Sequence, residues 1–273
     1  MKESTMSSNA VLTAPTKSLS PEQLAQYREQ GFLIVRGLLG PEEVDRVQRL
    51  KQRIEGEVAG ADGDFQRDGA DYNFERVDLN LENVNSTGQI RHGVLRKIQD
   101  IHGSESEFRA ACVTENVLDI VEDIIGPEIY YHSSKLMFKP ARGGRQKPWH
   151  QDFAYWSEQN PNQVTVWYAI DPATRENGCV KTSVGSHKRG LRPHFGKELQ
   201  LDPTLIPAES IVYAEMQPGD VLFFDVLTLH GSDPNFSEHP RLSCIVDFQC
   251  EPTPLRKDAP DWLRQPLRSA GGV

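Results

Sequence analysis

Residues 217–233 read QPGDVLFFDVLTLHGSD, and this stretch indicates the fold class. A Pro-Gly turn at 217–220 leads into the β-rich run Val221–Val226, and His230 follows where that strand ends. Pro and Gly at a turn, followed by a short apolar run, are typical of a strand in an all-β fold. Other short runs of this kind occur after residue 130, at Lys135–Phe138, Val164–Ile170 and Leu242–Phe248. The second half of the chain therefore predicts a β-barrel or sandwich.

The first half of the chain carries helix signals instead. Ser20, Pro21 and Gln23 form a capping box with Pro at the first helical position, so a helix is expected from there to near Gly31. Phe32–Val35 is expected to be a buried strand. Further helices are predicted from Pro41, with an apolar face at Val44, Val47, Leu50 and Ile54, and from Glu115 to Ile125, between Thr114 and Gly126. Helices followed by many strands indicate a mainly β (α+β) fold with helices packed at its front.

Two segments lack such patterns. Residues 1–19 are rich in Ser, Thr and Ala and are expected to be a flexible tail, which leaves 20–273 as a single domain. Residues 58–75 are rich in Gly and Asp, so a long mobile loop with a role as a lid or binding segment is expected there.

Composition excludes several classes of protein. The formal net charge of −9 argues against a general nucleic-acid binder, which would be basic. The longest apolar runs fall well short of the ~18 residues of a membrane span, and the N-terminus lacks the pattern of an export signal. The four cysteines form no C-x-x-C pair, so they are expected to be reduced thiols in a cytoplasmic protein.

A possible metal motif lies in Pro148-Trp149-His150-Gln151-Asp152. Residues i and i+2 of a strand point to the same face, roughly 6 to 7 Å apart, so the side chains of His150 and Asp152 can converge on one ion. The tripeptide alone is weak evidence, because such combinations occur by chance. His230 at the end of a second strand supplies what a two-His-one-carboxylate site needs, and that donor set suits non-haem Fe(II).

Arg241 begins the run that follows His230. A 2-oxo acid cosubstrate that ligates iron through one end needs a fixed partner for its far carboxylate. The planar guanidinium of Arg matches a carboxylate in two-point contact. The spacing therefore favours a cosubstrate site beside the metal site.

These motifs, in this order, resemble the phytanoyl-CoA dioxygenase family of Fe(II)/2-oxoglutarate oxygenases. The resemblance runs from about residue 20 to about residue 250. It rests on H-x-D at 150–152, Trp167, Glu176-Asn177-Gly178-Cys179, Gly185-Ser186-His187, Gln217-Pro218-Gly219-Asp220, His230-x-Ser232 and Arg241, and on 27–37 and Arg96-Lys97-Ile98-Gln99-Asp100 nearer the N-terminus. The resemblance implies a double-stranded β-helix, a jelly-roll (cupin-like) barrel with iron at its mouth.

The resemblance also implies roles for individual residues. His150, Asp152 and His230 would ligate Fe(II) and so be the catalytic residues. Arg241 and Ser232 would bind the distal carboxylate of 2-oxoglutarate. Further cosubstrate-pocket positions fall on Trp167, Lys97 and Lys135. O2 would be the second cosubstrate and ascorbate a stimulant.

The acid at position 152 bears on the type of reaction. Halogenating relatives carry Ala or Gly at this position, so Asp152 favours hydroxylation or another oxidation of a small molecule. Candidate substrate contacts are Trp156, Phe153 and Arg145, with barrel packing the alternative for Trp156 and a solvated loop the alternative for Arg145. Tyr155 is expected to pack on the opposite side from Trp156, by strand alternation.

Three other functions stay open at this stage. A barrel that binds a metal or small ligand without turnover would keep the same donor set. A phytanoyl-CoA-type acyl-CoA hydroxylase would share the whole site. A zinc hydrolase would need a general base that the sequence does not show beside the triad.

Overall fold

The computed structural model describes residues 18–76, 90–196, 198–252 and 261–269. The predicted tail lies outside these ranges up to residue 17. The helices within them are α1 (Pro21–Gln30), α2 (Pro41–Val58), α3 (Ser106–Cys112) and α4 (Glu115–Ile125). None of the helices in these ranges is long and apolar enough to cross a membrane.

Twelve strands are present in the described ranges. They are β1 (Phe32–Val35), β2 (Phe65–Arg67), β3 (Ala70–Arg76), β4 (Ile90–Gln99), β5 (Tyr130–Lys139), β6 (Lys147–His150), β7 (Gln163–Ala169), β8 (Val180–Ser183), β9 (Ile211–Ala214), β10 (Val221–Asp225), β11 (His230–Ser232) and β12 (Arg241–Gln249). The four strand runs predicted from residue 130 onward correspond to β5, β7, β10 and β12, and those predictions are confirmed.

The strands form two antiparallel sheets. The large sheet has the order β1-β10-β7-β12-β5-β4-β3-β2, and the small sheet has the order β6-β11-β8-β9. Along the chain from β5 to β12, the path alternates between the two sheets, with β8 and β9 together in the small one. This connectivity is that of a jelly roll, so the predicted fold class is confirmed.

The helices predicted at the front of the chain are also confirmed. Ser20 caps α1 through its hydroxyl and Gln23 returns the hydrogen bond, which completes the capping box. Gly31 ends α1 with φ of 86°, in the left-handed region that glycine adopts without strain. α2 buries Val47, Leu50 and Ile54 against the outer face of the large sheet. That face is thereby covered, and the inner face is left to line the space between the sheets.

Within the Gly- and Asp-rich segment 58–75, residues 65–75 form a β-hairpin, so the prediction of a long mobile loop was wrong for that part. β2 and β3 pair antiparallel, with Arg67 opposite Ala70 across the two-residue turn Asp68-Gly69. Both turn residues have positive φ, 51° and 81°, as a tight hairpin turn requires. The polar residues concealed the alternation of apolar side chains at Phe65, Tyr72 and Phe74, whose rings pack together.

Candidate metal centre and cosubstrate pocket

Two of the predicted metal ligands meet across the small sheet. β6 and β11 pair antiparallel, and their register places His150 directly opposite His230. The two imidazole rings lie 4.1 Å apart, and both side chains are buried. Strand pairing therefore brings together two residues that are 80 positions apart in the sequence.

Asp152 also lies beside the two imidazoles, but it is in a 3-10 turn and not on the strand that the sequence predicted. β6 ends at His150, Gln151 is extended, and Asp152 begins a 3-10 turn that runs to Tyr155. The Oδ1 atom of Asp152 lies 3.4 Å from Nε2 of His150 and 3.6 Å from Nε2 of His230. The three ligand atoms are all within 4.8 Å of one another. Two imidazole nitrogens and one carboxylate oxygen are the donor set of a non-haem Fe(II) site.

Backbone carbonyls orient both imidazole rings. Nδ1 of His150 lies 2.9 Å from the carbonyl oxygen of Pro148 and 3.1 Å from that of His230. Nδ1 of His230 lies 3.0 Å from the carbonyl oxygen of Thr228. A carbonyl only accepts, so Nδ1 carries the hydrogen in both rings and the lone pair of Nε2 is free for a metal ion.

Electrostatics favour the protonation state that a cation needs. Burial, with a contribution from His230, lowers the pKa of His150 to about 3, so this ring is neutral at pH 7. Burial alone would raise the pKa of Asp152, but His230 and His150 together hold it well below its usual range. A neutral His150 beside an ionised Asp152 is the arrangement that a divalent cation needs.

A buried polar chain supports Asp152 from behind. The hydroxyl of Thr165 lies 2.9 Å from Oδ2 of Asp152 and 2.8 Å from Oδ1 of Asp247. Asp247 in turn forms an ion pair of 3.2 Å with Lys135. Thr165 and Asp247 have no exposed surface. Because Oδ2 is engaged by Thr165, Oδ1 is the oxygen directed at the two imidazoles.

We expect Thr165→Val to weaken iron binding by about 10- to 100-fold, the usual effect of losing a partner of a metal ligand. The substitution keeps the shape of the side chain and removes the hydrogen bond to Asp152. Competition with a chromogenic iron chelator measures the affinity. Thr182→Val is the matched control, since this buried threonine on β8, opposite His230, has a hydroxyl without a hydrogen-bond partner in the described ranges. Equal affinities of the two variants would contradict the role of Thr165.

Arg241 lies at the bottom of the same cavity. Only 5% of the residue is exposed, and its guanidinium lies 5.2 Å from the centre of the Trp167 ring. One Nη donates to the carbonyl oxygen of Gly178, while Nε has no acceptor among the residues that the structure describes. Burial lowers the pKa of Arg241 to about 10, and the group is still cationic at neutral pH. A buried cation with a free N–H fits the carboxylate of a cosubstrate.

Lys139, which no motif of the sequence singles out, is a buried neighbour of Arg241. It lies opposite Arg241 in the β5–β12 register. Its Nζ lies 2.7 Å from the hydroxyl of Ser232 and also donates to the carbonyl oxygens of Gly178 and Asp233. Burial, aided by Arg241, holds the pKa of Lys139 well below its usual range. In β5, Lys139 shares a face with Lys135 and Met137, which line the cavity, and this spacing could have indicated on which side of the sheet it lies. The predicted strand, Lys135–Phe138, ended one residue before Lys139.

Gly178 is the turn that both cations contact. Its φ is 75°, and a Cβ atom there would lie 2.2 Å from the carbonyl oxygen of Asp233 and 2.6 Å from Nζ of Lys139. Any other residue would therefore displace the backbone that fixes Arg241 and Lys139. This requirement explains the glycine in the motif at 176–179.

A cavity of about 570 Å³ opens above the metal ligands. Five predicted positions line it in addition to the triad: Lys97, Lys135, Trp167, Ser232 and Arg241. Trp156, a candidate substrate contact, lines it too, and its ring packs edge-on against His132 at 4.3 Å. The structure thus brings together all the predicted metal and cosubstrate positions around one space.

Two other candidate substrate contacts lie away from the cavity lining. Phe153 is buried, with its amide bonded to the carbonyl oxygen of Val226. Arg145 is also buried and forms an ion pair of 2.9 Å with Glu75. The alternative prediction, that Arg145 lies in a solvated loop, is also wrong, because Arg145 and Glu75 are both buried.

Tyr155 lies on the cavity wall together with Trp156, and not on the opposite side of the segment. The expectation of opposite sides assumed a strand, whereas residues 152–155 form a 3-10 turn in which neighbouring side chains are not alternated. The Tyr155 ring lies 6.2 Å from that of His150, and 42% of the residue is exposed. Tyr155 is therefore a cavity residue that the sequence pattern missed.

Comparison with known proteins agrees with this geometry. The sequence model of the family described as phytanoyl-CoA dioxygenase (PhyH) matches residues 27–243. The peroxisomal phytanoyl-CoA dioxygenase of Bos taurus is 29% identical over 254 residues, covering 87% of this chain and 72% of the relative. A probable alpha-ketoglutarate-dependent hypophosphite dioxygenase of Stutzerimonas stutzeri is 27% identical over 237 residues, covering 83% of this chain and 77% of the relative.

Solved structures share the fold. The structure of EctD from S. alaskensis with 2-oxoglutarate and 5-hydroxyectoine has a TM-score of 0.65 at 20% identity, covering 97% of this chain and 88% of that one. The non-haem alpha-ketoglutarate-dependent carbocyclase SnoK from nogalamycin biosynthesis has a TM-score of 0.66 at 19% identity, covering 96% and 98%. The family match extends over most of the sequence and includes the metal and cosubstrate positions. The chain therefore belongs to the phytanoyl-CoA dioxygenase family of non-haem iron, 2-oxoglutarate-dependent oxygenases.

Proposed function

We propose that this protein is an Fe(II)/2-oxoglutarate-dependent dioxygenase that oxidises an aliphatic C–H group of a small molecule and releases succinate and CO2. His150, Asp152 and His230 are the proposed iron ligands. The observation that carries the proposal is the convergence of these three donors within 4.8 Å, at the base of the cavity that Arg241 also lines.

The bound iron supplies the activation of O2, which no amino-acid side chain provides. The protein contributes a charge-matched, oriented ligand set. The carbonyl oxygens of Pro148 and Thr228 fix the two rings, and Thr165 fixes the carboxylate. With His150, Asp152 and His230 as its protein ligands, a bound Fe(II) would have positions open for the cosubstrate and O2.

Arg241, Ser232 and Trp167 are the proposed cosubstrate-binding residues, with Lys97 and Lys135 nearby on the cavity wall. The free Nε–H of Arg241 and the hydroxyl of Ser232 supply donors for the distal carboxylate of 2-oxoglutarate. Trp167 packs alongside the guanidinium and excludes water from it. A carboxylate in this buried position is held more strongly than in water, because the surrounding dielectric is low.

The size of the cavity and the carboxylate ligand Asp152 limit the choice of substrate and of reaction. The cavity of about 570 Å³ lies within the range of small-molecule sites, and part of it is taken by the cosubstrate. A metabolite or natural-product intermediate fits this room better than an acyl-CoA. Asp152 supplies a carboxylate where halogenating relatives carry Ala or Gly, which favours hydroxylation over halogenation.

The test is a screen for succinate release with Fe(II), 2-oxoglutarate, O2 and ascorbate across classes of small molecules. We expect iron-dependent succinate formation that increases with the matching substrate and disappears when zinc replaces iron. Tight iron binding without decarboxylation of 2-oxoglutarate would indicate a non-catalytic metal- or ligand-binding barrel.

Lys139 is proposed as a positioning residue for the cosubstrate. We expect Lys139→Met to weaken 2-oxoglutarate binding by about tenfold, the effect of losing one buried hydrogen bond that holds Ser232. Lys139 contacts Ser232 and the turn at Gly178 that also receives Arg241. Binding of 2-oxopentanoate, which lacks the distal carboxylate, is the control. A parallel loss for both acids would show that the substitution damages the pocket as a whole.

A further inference from the structure

One wall of the cavity carries three cationic side chains, and two of them, Arg96 and Lys147, are outside the predicted metal and cosubstrate positions. Arg96 and Lys97 come from β4, and Lys147 is the first residue of β6. Lys147 forms an ion pair of 3.0 Å with Glu198, which also lines the cavity. Burial would raise the pKa of Glu198, but Lys147, Arg96 and Lys97 together lower it. All three cations therefore act on one carboxylate, and we call these four residues the cationic wall.

A β-bulge is what places two consecutive cations on this wall. Along β3, Asn73 pairs with Lys97 and the next residue, Phe74, pairs with Leu95, so Arg96 is left out of the register. In a regular strand, Arg96 and Lys97 would point to opposite faces of the sheet. An extra residue in one strand re-aims its side chain, and bulges of this kind occur often beside active sites. Both side chains thus reach the cavity.

The charges of the cationic wall are not balanced. Within the described ranges, no ion pair joins Arg96 or Lys97 to an acid, and the nearest polar partner of Lys97 is the side-chain oxygen of Gln99 at 3.4 Å. Burial, followed by repulsion from Lys135, Arg96 and Lys147, lowers the pKa of Lys97 to about 8. Asp100 also lines the cavity, and a further anion that binds between the three cations lowers their mutual repulsion.

The cationic wall lies about 10 Å along β6 from the metal ligand His150, a distance that a small substrate can span. Nζ of Lys147 is 2.9 Å from the hydroxyl of Tyr155, and the ring of Tyr155 is 6.2 Å from that of His150. Lys147 also precedes His150 by three residues on β6, which is about 10 Å of strand. An anion held at the wall therefore leaves several bonds between itself and a C–H group at the metal.

We propose that the cationic wall is the recognition site for an anionic group of the substrate, a carboxylate or a phosphorus oxyanion, whose aliphatic part extends past Tyr155 and Trp156 to the metal. This inference rests on the proposed function, since it assigns the substrate class of that same cavity. The anion joins Arg96, Lys97 and Lys147, and Glu198 is the counter-ion that it replaces or shares. The position of Lys97 beside Arg96 assigns this lysine to the substrate side of the cavity.

Calorimetric titration of the full chain tests the proposal, with Mn(II) and 2-oxoglutarate bound so that binding is measured without turnover. The probes are hexanoate, hexylphosphonate and the neutral hexanamide. We expect one of the anions to bind at least about tenfold more tightly than the amide, and the better anion identifies the group as carboxylate or phosphorus oxyanion. Equal binding of all three probes would overturn the proposal.

Substitutions in the cationic wall test whether its residues cause the preference for the anionic probes over hexanamide. Arg96→Gln and Lys147→Gln should each lower the preference for the anion by about tenfold, and Glu198→Gln should raise it by removing the competing charge. Arg142→Gln is the matched control, because Arg142 is exposed and pairs with Glu238 outside the cavity. A loss in Arg142→Gln equal to that in Arg96→Gln would overturn the proposal, as would a parallel loss of 2-oxoglutarate affinity in Arg96→Gln.

The titration and the succinate screen have separable outcomes. A protein that prefers anions but never releases succinate would refute the proposed oxidation and keep the anion site. A protein that releases succinate but binds the three probes equally would refute the anion site and keep the oxidation.

Discussion

Replacing Asp152 with alanine is expected to abolish succinate release and to lower iron affinity by more than about 100-fold, beyond the loss from a supporting residue. Asp152 supplies the anionic ligand of the triad, and it faces both Nε2 atoms at 3.4 and 3.6 Å. Without it, only the two imidazoles remain to hold a divalent cation. Succinate is measured by chromatography and bound iron by metal analysis of the same sample.

Two comparisons make the Asp152 result specific. Asp152→Asn keeps the size of the side chain and loses its charge, so it should bind iron weakly while folding as well as the natural protein. Asp202→Ala removes an aspartate that lies outside the cavity lining and caps only a short 3-10 turn, and it should retain full turnover. Full 2-oxoglutarate turnover in Asp152→Ala would mean that Asp152 is not an iron ligand.

Replacing Arg241 with alanine is expected to weaken 2-oxoglutarate binding by about 2 to 5 kcal/mol, as for a broken buried charge pair. This corresponds to roughly 30-fold to several-thousand-fold in Kd. The size of the effect follows from the burial of Arg241 and from its packing against the Trp167 ring. Titration of the Mn(II) form with 2-oxoglutarate measures the affinity.

A cosubstrate analogue distinguishes loss of carboxylate recognition by Arg241 from general damage to the pocket. 2-Oxopentanoate, which lacks the distal carboxylate, should bind the natural protein weakly and Arg241→Ala with similar affinity. Arg241→Lys should recover part of the 2-oxoglutarate affinity, because it restores the charge but not the planar two-point donor. An unchanged affinity for 2-oxoglutarate in Arg241→Ala would remove Arg241 from the cosubstrate site.

The sequence was informative wherever a local pattern and the final contact coincide. The capping box at Ser20 and the glycine at position 31 set the ends of α1, and both act within a few residues. The jelly roll and the cluster of His150, Asp152 and His230 followed from an ordered set of motifs, in which His150 ends β6 and His230 begins β11.

What the sequence did not indicate depends on registers between distant strands. Lys139 becomes a partner of Ser232 only because β5 lies beside β12, and Thr165 reaches Asp152 only because a 3-10 turn folds back over β7. The alternation argument for Tyr155 failed at that same turn. The hairpin of β2 and β3 was missed because Asp68-Gly69 was counted as loop composition, although it is a strong two-residue turn signal.

The bulge at Arg96 has an evolutionary consequence. Insertion or deletion of a single residue is harmful inside a regular strand, because every side chain beyond it changes face. At a bulge, deletion of the extra residue restores the regular ladder, and the side chains of the remaining strand keep their faces. A lineage can therefore gain or lose one cavity cation through a one-codon length change, with the jelly roll and the metal ligands left in place.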